Sequence, residues 1–270
     1  MEQAPVIDYA TDAPLGDPIP LRRRLAAEGV GTFLLVFFGC GSMAVDAAYG
    51  GAVGHVGIGI VWGVVVMALI YAVGDVSGAH FNPAVSFAFT LAGRFKRSDA
   101  LAYSGMQVAA ATVAALSLAV AFPYLADLGQ TIATDSLETR ARPEIRPIFE
   151  SQGVPYSLLQ ILGHPGYSLA RAFGFEIVLT FALVFVILCV AVGSKERGLM
   201  AGIAIGGTVG ICAIAAGPVC RASMNPARSI GPAIAALDFT HLWIYVTAPF
   251  IGAALAVGAW NYIYRHPRGA

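Results

Sequence analysis

Charge is scarce in this chain. Only 12% of its 270 residues are Asp, Glu, Lys or Arg, where an ordinary soluble domain carries about 25%. Sixteen basic residues balance sixteen acidic ones. There is no cationic surplus for a nucleic-acid backbone, so no nucleic-acid partner is expected. Cysteine is sparse as well: Cys40, Cys189, Cys212 and Cys220. The first three lie in apolar runs and none forms a CxxC pair, which argues against a disulfide framework or a zinc site. No nucleophile–base set, phosphate loop or metal-ligand cluster is visible. The expectation is a protein that is not an enzyme and needs neither metal nor cofactor. No cleavable signal peptide is visible; residues 1–21 are polar and Pro-rich, with acids at Glu2, Asp8, Asp12 and Asp17.

Apolar residues, by contrast, make up 57% of the chain, with 31 glycines and 15 prolines and a mean hydropathy of +0.73. That is too apolar for disorder and too rich in glycine for a coiled coil. It fits a polytopic membrane protein, whose helices tolerate Gly and Pro. A bilayer core of about 30 Å needs about 20 apolar residues per helix. Six stretches qualify: Leu25–Ala47, Val56–Val73, Leu101–Ala121, Ala170–Val192, Leu199–Ala216 and Leu242–Tyr264. Two shorter apolar segments, Pro83–Leu91 and Pro226–Leu237, reach only about half-way, since ten helical residues rise about 15 Å. The fold class predicted is all-α integral membrane, six transmembrane helices plus two re-entrant half-helices.

Basic residues mark one side. Arg22, Arg23 and Arg24 precede the first span, and Arg94, Lys96 and Arg97 the third. Lys195 and Arg197 lie between the fourth and fifth, and Arg265 and Arg268 follow the sixth. The connection Asp46–His55 has no Lys or Arg. By the positive-inside rule both termini are expected in the cytoplasm of a multi-pass protein of the cell membrane, plasma or bacterial inner. The organisation expected is a tail over 1–21 and one channel domain over 22–270. Within it lie repeat one (22–121), a long extracellular connection (122–169), repeat two (170–264) and a short tail (265–270).

The repeats are legible residue by residue. Glu28, Thr32, Phe33, Leu35, Val36 and Phe37 recur as Glu176, Thr180, Phe181, Leu183, Val184 and Phe185, 148 positions on. Asn82-Pro83-Ala84-Val85-Ser86 recurs as Asn225-Pro226-Ala227-Arg228-Ser229, 143 positions on. Each unit carries three spans, an odd number, so the second copy enters the membrane from the opposite side. Inverted repeats of this kind place their functional site near the midplane between the halves.

Asn-Pro-Ala reads as a helix start. Asn is a strong N-cap, and Pro suits the first helical position. The small residues before each cap, Ser77–Phe81 and Gly217–Met224, read as loops. Inverted symmetry then opposes two helix N-termini, each worth roughly half a positive charge. The Asn side chains are expected to turn their NH₂ groups into the lumen.

These motifs resemble the aquaporin and aquaglyceroporin family. The resemblance rests on Ser77-Gly78-Ala79-His80-Phe81-Asn82-Pro83-Ala84-Val85, on Ser223-Met224-Asn225-Pro226-Ala227-Arg228-Ser229, and on the paired Glu28 and Glu176. It covers Leu21 to Tyr264. It implies a pore in each subunit, a homotetramer in the lipid bilayer, and a centre formed by Asn82, Pro83, Ala84, Asn225, Pro226 and Ala227. It also implies a selectivity filter at Trp62, Ala213, Ala222 and Arg228. One large aromatic, two Ala and one Arg resemble the plant nodulin-like proteins and glycerol facilitators more than strict water channels, which usually carry His at the Ala213 position. Glu28 and Glu176 are implied to hydrogen-bond the re-entrant loops, with His80 bracing its loop or facing the pore. Arg228 is expected about 4.5 Å outward of the centre, opposite Trp62 across the lumen. Arg221 stands where the family usually has Gly, and the 122–169 connection is unusually long, with Tyr156–Leu162 as a candidate short helix.

The expected function is passive passage of water and small neutral solutes such as glycerol, with exclusion of ions and protons. Alternatives are a strict water channel, a metalloid-acid channel, a junction protein with a blocked pore, or a coupled secondary transporter. The last needs a titratable group at the midplane, for which the central loops offer Asp75 and His80. The glycines Gly59 and Gly63, and Gly202, Gly206 and Gly210, read as packing positions, within or between subunits.

Overall fold

The computed structural model describes residues 19–123, 129, 131, 165–191 and 200–264. Backbone amides cannot stay unpaired in hydrocarbon, so apolar segments of this length become helices. Eight lie among the described residues: α1 (Leu21–Ala48), α2 (Gly54–Ser77), α3 (Pro83–Leu91), α4 (Arg97–Ala121), α5 (Pro165–Ala191), α6 (Ala201–Cys220), α7 (Pro226–Ala236) and α8 (Leu242–Tyr264). Six are long and apolar enough to cross a membrane; α3 and α7 are the half-helices. The spans among the described residues are even in number, so α1 starts and α8 ends on one face, the terminal face, opposite the distal face.

Several boundaries differ from the sequence reading. Helix α1 begins at Leu21 and α5 at Pro165, each a turn or so ahead of the spans read from Leu25 and Ala170. Helix α6 runs to Cys220, through Pro218; only Arg221–Asn225 remain as the loop into α7, where Gly217–Met224 was expected. Asp75 lies in the last turn of α2, exposed, and not in a central loop. Lys195, Arg197, Arg265, Arg268 and the candidate helix Tyr156–Leu162 lie outside the described residues.

Helices α2 and α6 pack closely, through glycine. A Cβ on Gly63 would fall 2.7 Å from the Gly206 carbonyl and 3.1 Å from Gly210 Cα, and one on Gly202 would run into the Tyr71 ring. The glycine ladder therefore serves packing inside the chain. Each half-helix packs on a span of the other repeat, α7 on α4 and α3 on α8. At Gly231 a Cβ would strike the Ala111 backbone, so α7 reaches α4 only because that side chain is absent. At the terminal face Arg24 Nη2 donates to Asp99 Oδ2 at 2.7 Å, tying the first turn of α1 to that of α4. At the distal face Asp46 Oδ1 accepts the N–H groups of Val53 and Gly54, at 3.0 and 2.7 Å. The end of α1 thereby caps the start of α2.

The outward faces of the spans carry large apolar side chains such as Val30, Ile60, Val113, Ile211 and Leu255, while the buried polar groups gather around the two half-helices. A soluble domain has the opposite pattern.

Candidate pore

Both half-helices begin as their sequence requires. Asn82 and Asn225 are extended, at φ −155° and −146°, with Pro next. Asn82 Oδ1 accepts the Ala84 N–H at 2.8 Å. Asn225 Oδ1 accepts those of Ala227 at 3.0 Å and Arg228 at 3.3 Å. The side-chain nitrogens then cross between the repeats: Asn82 Nδ2 donates to the Met224 carbonyl at 2.8 Å, and Asn225 Nδ2 to the Phe81 carbonyl at 2.9 Å. This corrects the expectation that both protons of each NH₂ face the lumen. One is taken by the opposite loop, which leaves one per Asn. Pro83, Ala84, Pro226 and Ala227 are buried, so at the centre they act through backbone and packing.

The chain reaches each cap by sharp turns in matching places. Gly78, Ala79 and Phe81 have φ of 84°, 50° and 50°; Arg221, Ala222 and Met224, each 143 positions on, have 64°, 42° and 54°. Left-handed geometry at a non-glycine residue costs about 1–3 kcal/mol and persists only where its surroundings impose it. Buried carboxylates do so here. Glu28 Oε1 accepts from Ser77 Oγ (2.7 Å) and the His80 N–H (2.9 Å); its Oε2 accepts from the Phe81 N–H (2.7 Å) and Gln107 Nε2 (2.8 Å). Glu176 accepts the N–H groups of Ser223 and Met224, at 2.7 and 2.8 Å. The site is thus asymmetric: Gln107 and Ser77 serve Glu28, while repeat two has Cys220 at the position of Ser77. Arg221 also differs from its mate Gly78, holding a left-handed position without glycine's freedom.

His80 is buried, with Nδ1 3.0 Å from Ser86 Oγ. Its ring stacks on Phe89 at 4.8 Å and meets Phe95 and Tyr103 edge-on. Those contacts hold the imidazole among aromatic rings.

Arg228 lies one turn into α7 and is only 2% exposed. Its Nη1 donates to the Gly129 carbonyl at 2.7 Å, Nη2 lies 3.7 Å from Met43 Sδ, and its Cζ stands 4.8 Å from the Trp62 ring centroid. Trp62 in turn rests where a Cβ on Gly39 would be. The two residues expected to face each other across the lumen are therefore in contact, cation on ring face. Ala213 on α6 and Ala222 in the following loop are buried. Met43 and Gly129 escaped the sequence reading. A methionine in an apolar helix carries no signal, and Gly129 sits in a connection that repeats nowhere. Gln107 did leave one, as a lone amide in an apolar run.

Six spans, two half-helices meeting cap to cap and a buried arginine beyond them define a membrane channel built as an inverted repeat. The family model described as major intrinsic protein matches residues 18–262. The chain belongs to that family, which makes it a multi-pass membrane channel for water and small solutes and not an enzyme. It is 43% identical over 240 residues to the Oryza sativa subsp. japonica protein Aquaporin NIP1-4, covering 89% of this chain and 76% of that one. Against Aquaporin NIP1-2 of Arabidopsis thaliana the identity is 39% over 252 residues, covering 93% and 76%. The X-ray structure of the aquaglyceroporin from Plasmodium falciparum superposes with a TM-score of 0.64 at 20% identity, covering 90% of this chain and 97% of that one; the likeness extends to the fold.

Proposed function

We propose that the protein passes water and small neutral solutes such as glycerol down their gradients and excludes ions and protons. It does so as a homotetramer of the cell membrane with both termini in the cytoplasm. The observation that carries this reading is the reciprocal pair of bonds between Asn82 and Met224 and between Asn225 and Phe81. It holds two half-helix N-termini against each other, and their partial charges add at one depth. A cation meets that field, while a neutral oxygen accepts from the remaining Asn protons. The orientation is supported by Arg22–Arg24, Arg94, Lys96 and Arg97, all at the terminal face.

Trp62, Ala213, Ala222 and Arg228 form the filter in this reading. Glycerol passes when the guanidinium swings off the Trp62 face, and Ala213 and Ala222 leave room for its carbons. Water needs no such room. Ala213→His narrows the filter and adds a polar group, so glycerol flux is expected to fall about ten-fold, the effect of about 1.4 kcal/mol on a barrier, and water flux by much less. Stopped-flow swelling of vesicles containing the full chain measures both. The 4.8 Å approach of Arg228 to Trp62 favours one alternative, a strict water channel. Fast water flux with no glycerol flux in the parent selects it.

A further inference from the structure

Near its distal end α6 contains Pro218. Proline has no N–H, so the carbonyl of Ile214, four residues earlier, has no helical donor. An unpaired carbonyl within a span is costly. His55, in the first turn of α2, places Nε2 2.6 Å from that oxygen. A carbonyl can only accept, so Nε2 carries the proton in this bond. Gly217 makes room for the ring: a Cβ there would lie 2.9 Å from His55 Cε1. One turn further along α2, Gly59 accommodates the Ile214 side chain, and at the next Gly63 meets Gly206 and Gly210. The His55 bond is the distal rung of the contact between α2 and α6.

The same two helices carry two filter positions of the reading above. Trp62 follows His55 by seven residues, two turns along one face of α2, and Ala213 adjoins Ile214. We propose that His55 is a positioning residue for the filter. Its Nε2–H replaces the donor that Pro218 lacks and so fixes the separation of Trp62 from Ala213. The inference rests on the filter being formed by those residues.

The test measures glycerol and water permeability of the full chain in vesicles, each per inserted channel. His55→Phe keeps a flat ring against Gly217 but has no donor. The glycerol-to-water ratio is expected to rise roughly two- to five-fold, the population change that one hydrogen bond supports. If the parent passes no glycerol, the readout is the appearance of glycerol flux. His55→Gln, whose amide donates at a similar reach, is expected to keep the parent ratio. Pro218→Ala restores the helical N–H, so in that background His55→Phe is expected to have no effect. A loss of folding alone lowers both permeabilities through channel number and leaves the ratio where it was. An unchanged ratio in His55→Phe, or the same shift with and without Pro218, overturns the inference. Should His55→Phe fail to insert, recovery by Pro218→Ala supports it and continued failure overturns it. Ala213→His separates the two levels: if it shifts the ratio and His55→Phe does not, only the role of His55 falls; if Ala213→His does nothing, the filter lies elsewhere.

Discussion

Glu28→Ala is expected to leave almost no correctly folded channel in the membrane. The carboxylate accepts four hydrogen bonds, two on each oxygen, and has no exposed surface. Two of its donors are the backbone N–H groups of His80 and Phe81. A buried donor left unmade costs about 1–3 kcal/mol. The two backbone groups alone therefore cost roughly 2–6 kcal/mol, against a total stability of about 5–15 kcal/mol for a typical protein. The left-handed turns at Gly78, Ala79 and Phe81 lose their anchor as well. Glu176→Ala removes the acceptor of two backbone donors but of no glutamine amide, so the defect is expected to be milder. The amount and monodispersity of detergent-extracted protein report the result. Parent amounts of Glu28→Ala with parent water flux would show that the loop holds itself without the carboxylate.

Asn225→Asp is expected to admit cations. In the parent, Asn225 caps α7 through Oδ1 and donates to the Phe81 carbonyl through Nδ2. As Asp it still caps, because a carboxylate suits a helix N-terminus. Its second oxygen, however, faces the Phe81 carbonyl with no proton between them, and turns away toward the lumen. The two opposed helix ends amount together to about one positive charge; a single carboxylate at the same depth cancels it. Arg228 remains as a second positive group one turn away, so the current is expected to be small and to grow when Arg228→Val is added. Water flux is expected to drop several-fold, since the lone oxygen acceptor replaces a donor that oriented the passing water. Conductance of planar bilayers together with vesicle swelling measures both. Asn225→Asp inserted at parent levels, with parent water flux and no cation current, would mean that the caps do not set the barrier.

Much of this architecture is legible before any coordinate is seen. Hydrocarbon imposes its own grammar, in which apolar runs of a set length become spans and Asn-Pro marks a helix start, so α3, α7 and α8 lie within a residue of where composition places them. The 148- and 143-residue offsets declare an inverted pair. Glu28 and Glu176 stand out because a charge in an apolar run needs a partner. The end of α6 is less legible: a proline reads as a helix stop, yet the helix continues through Pro218, with His55 of another span 2.6 Å from the Ile214 carbonyl.

By itself, then, the chain determines six spans, two half-helices, their inverted relation and the Asn-Pro-Ala pair at which the half-helices begin. These follow from local rules of hydropathy, capping and periodicity that hold wherever the segment is placed. Tertiary structure alone decides who meets whom. It spends one proton of each Asn on the opposite loop, lays Arg228 on Trp62 beneath Gly129 and Met43, gives Glu28 four donors and Glu176 fewer, and brings His55 to Ile214. Those contacts join residues up to 185 positions apart. No local preference encodes such distances; they arise when glycine-lined helices close on one another and the polar groups left at the interface find the partner that remains.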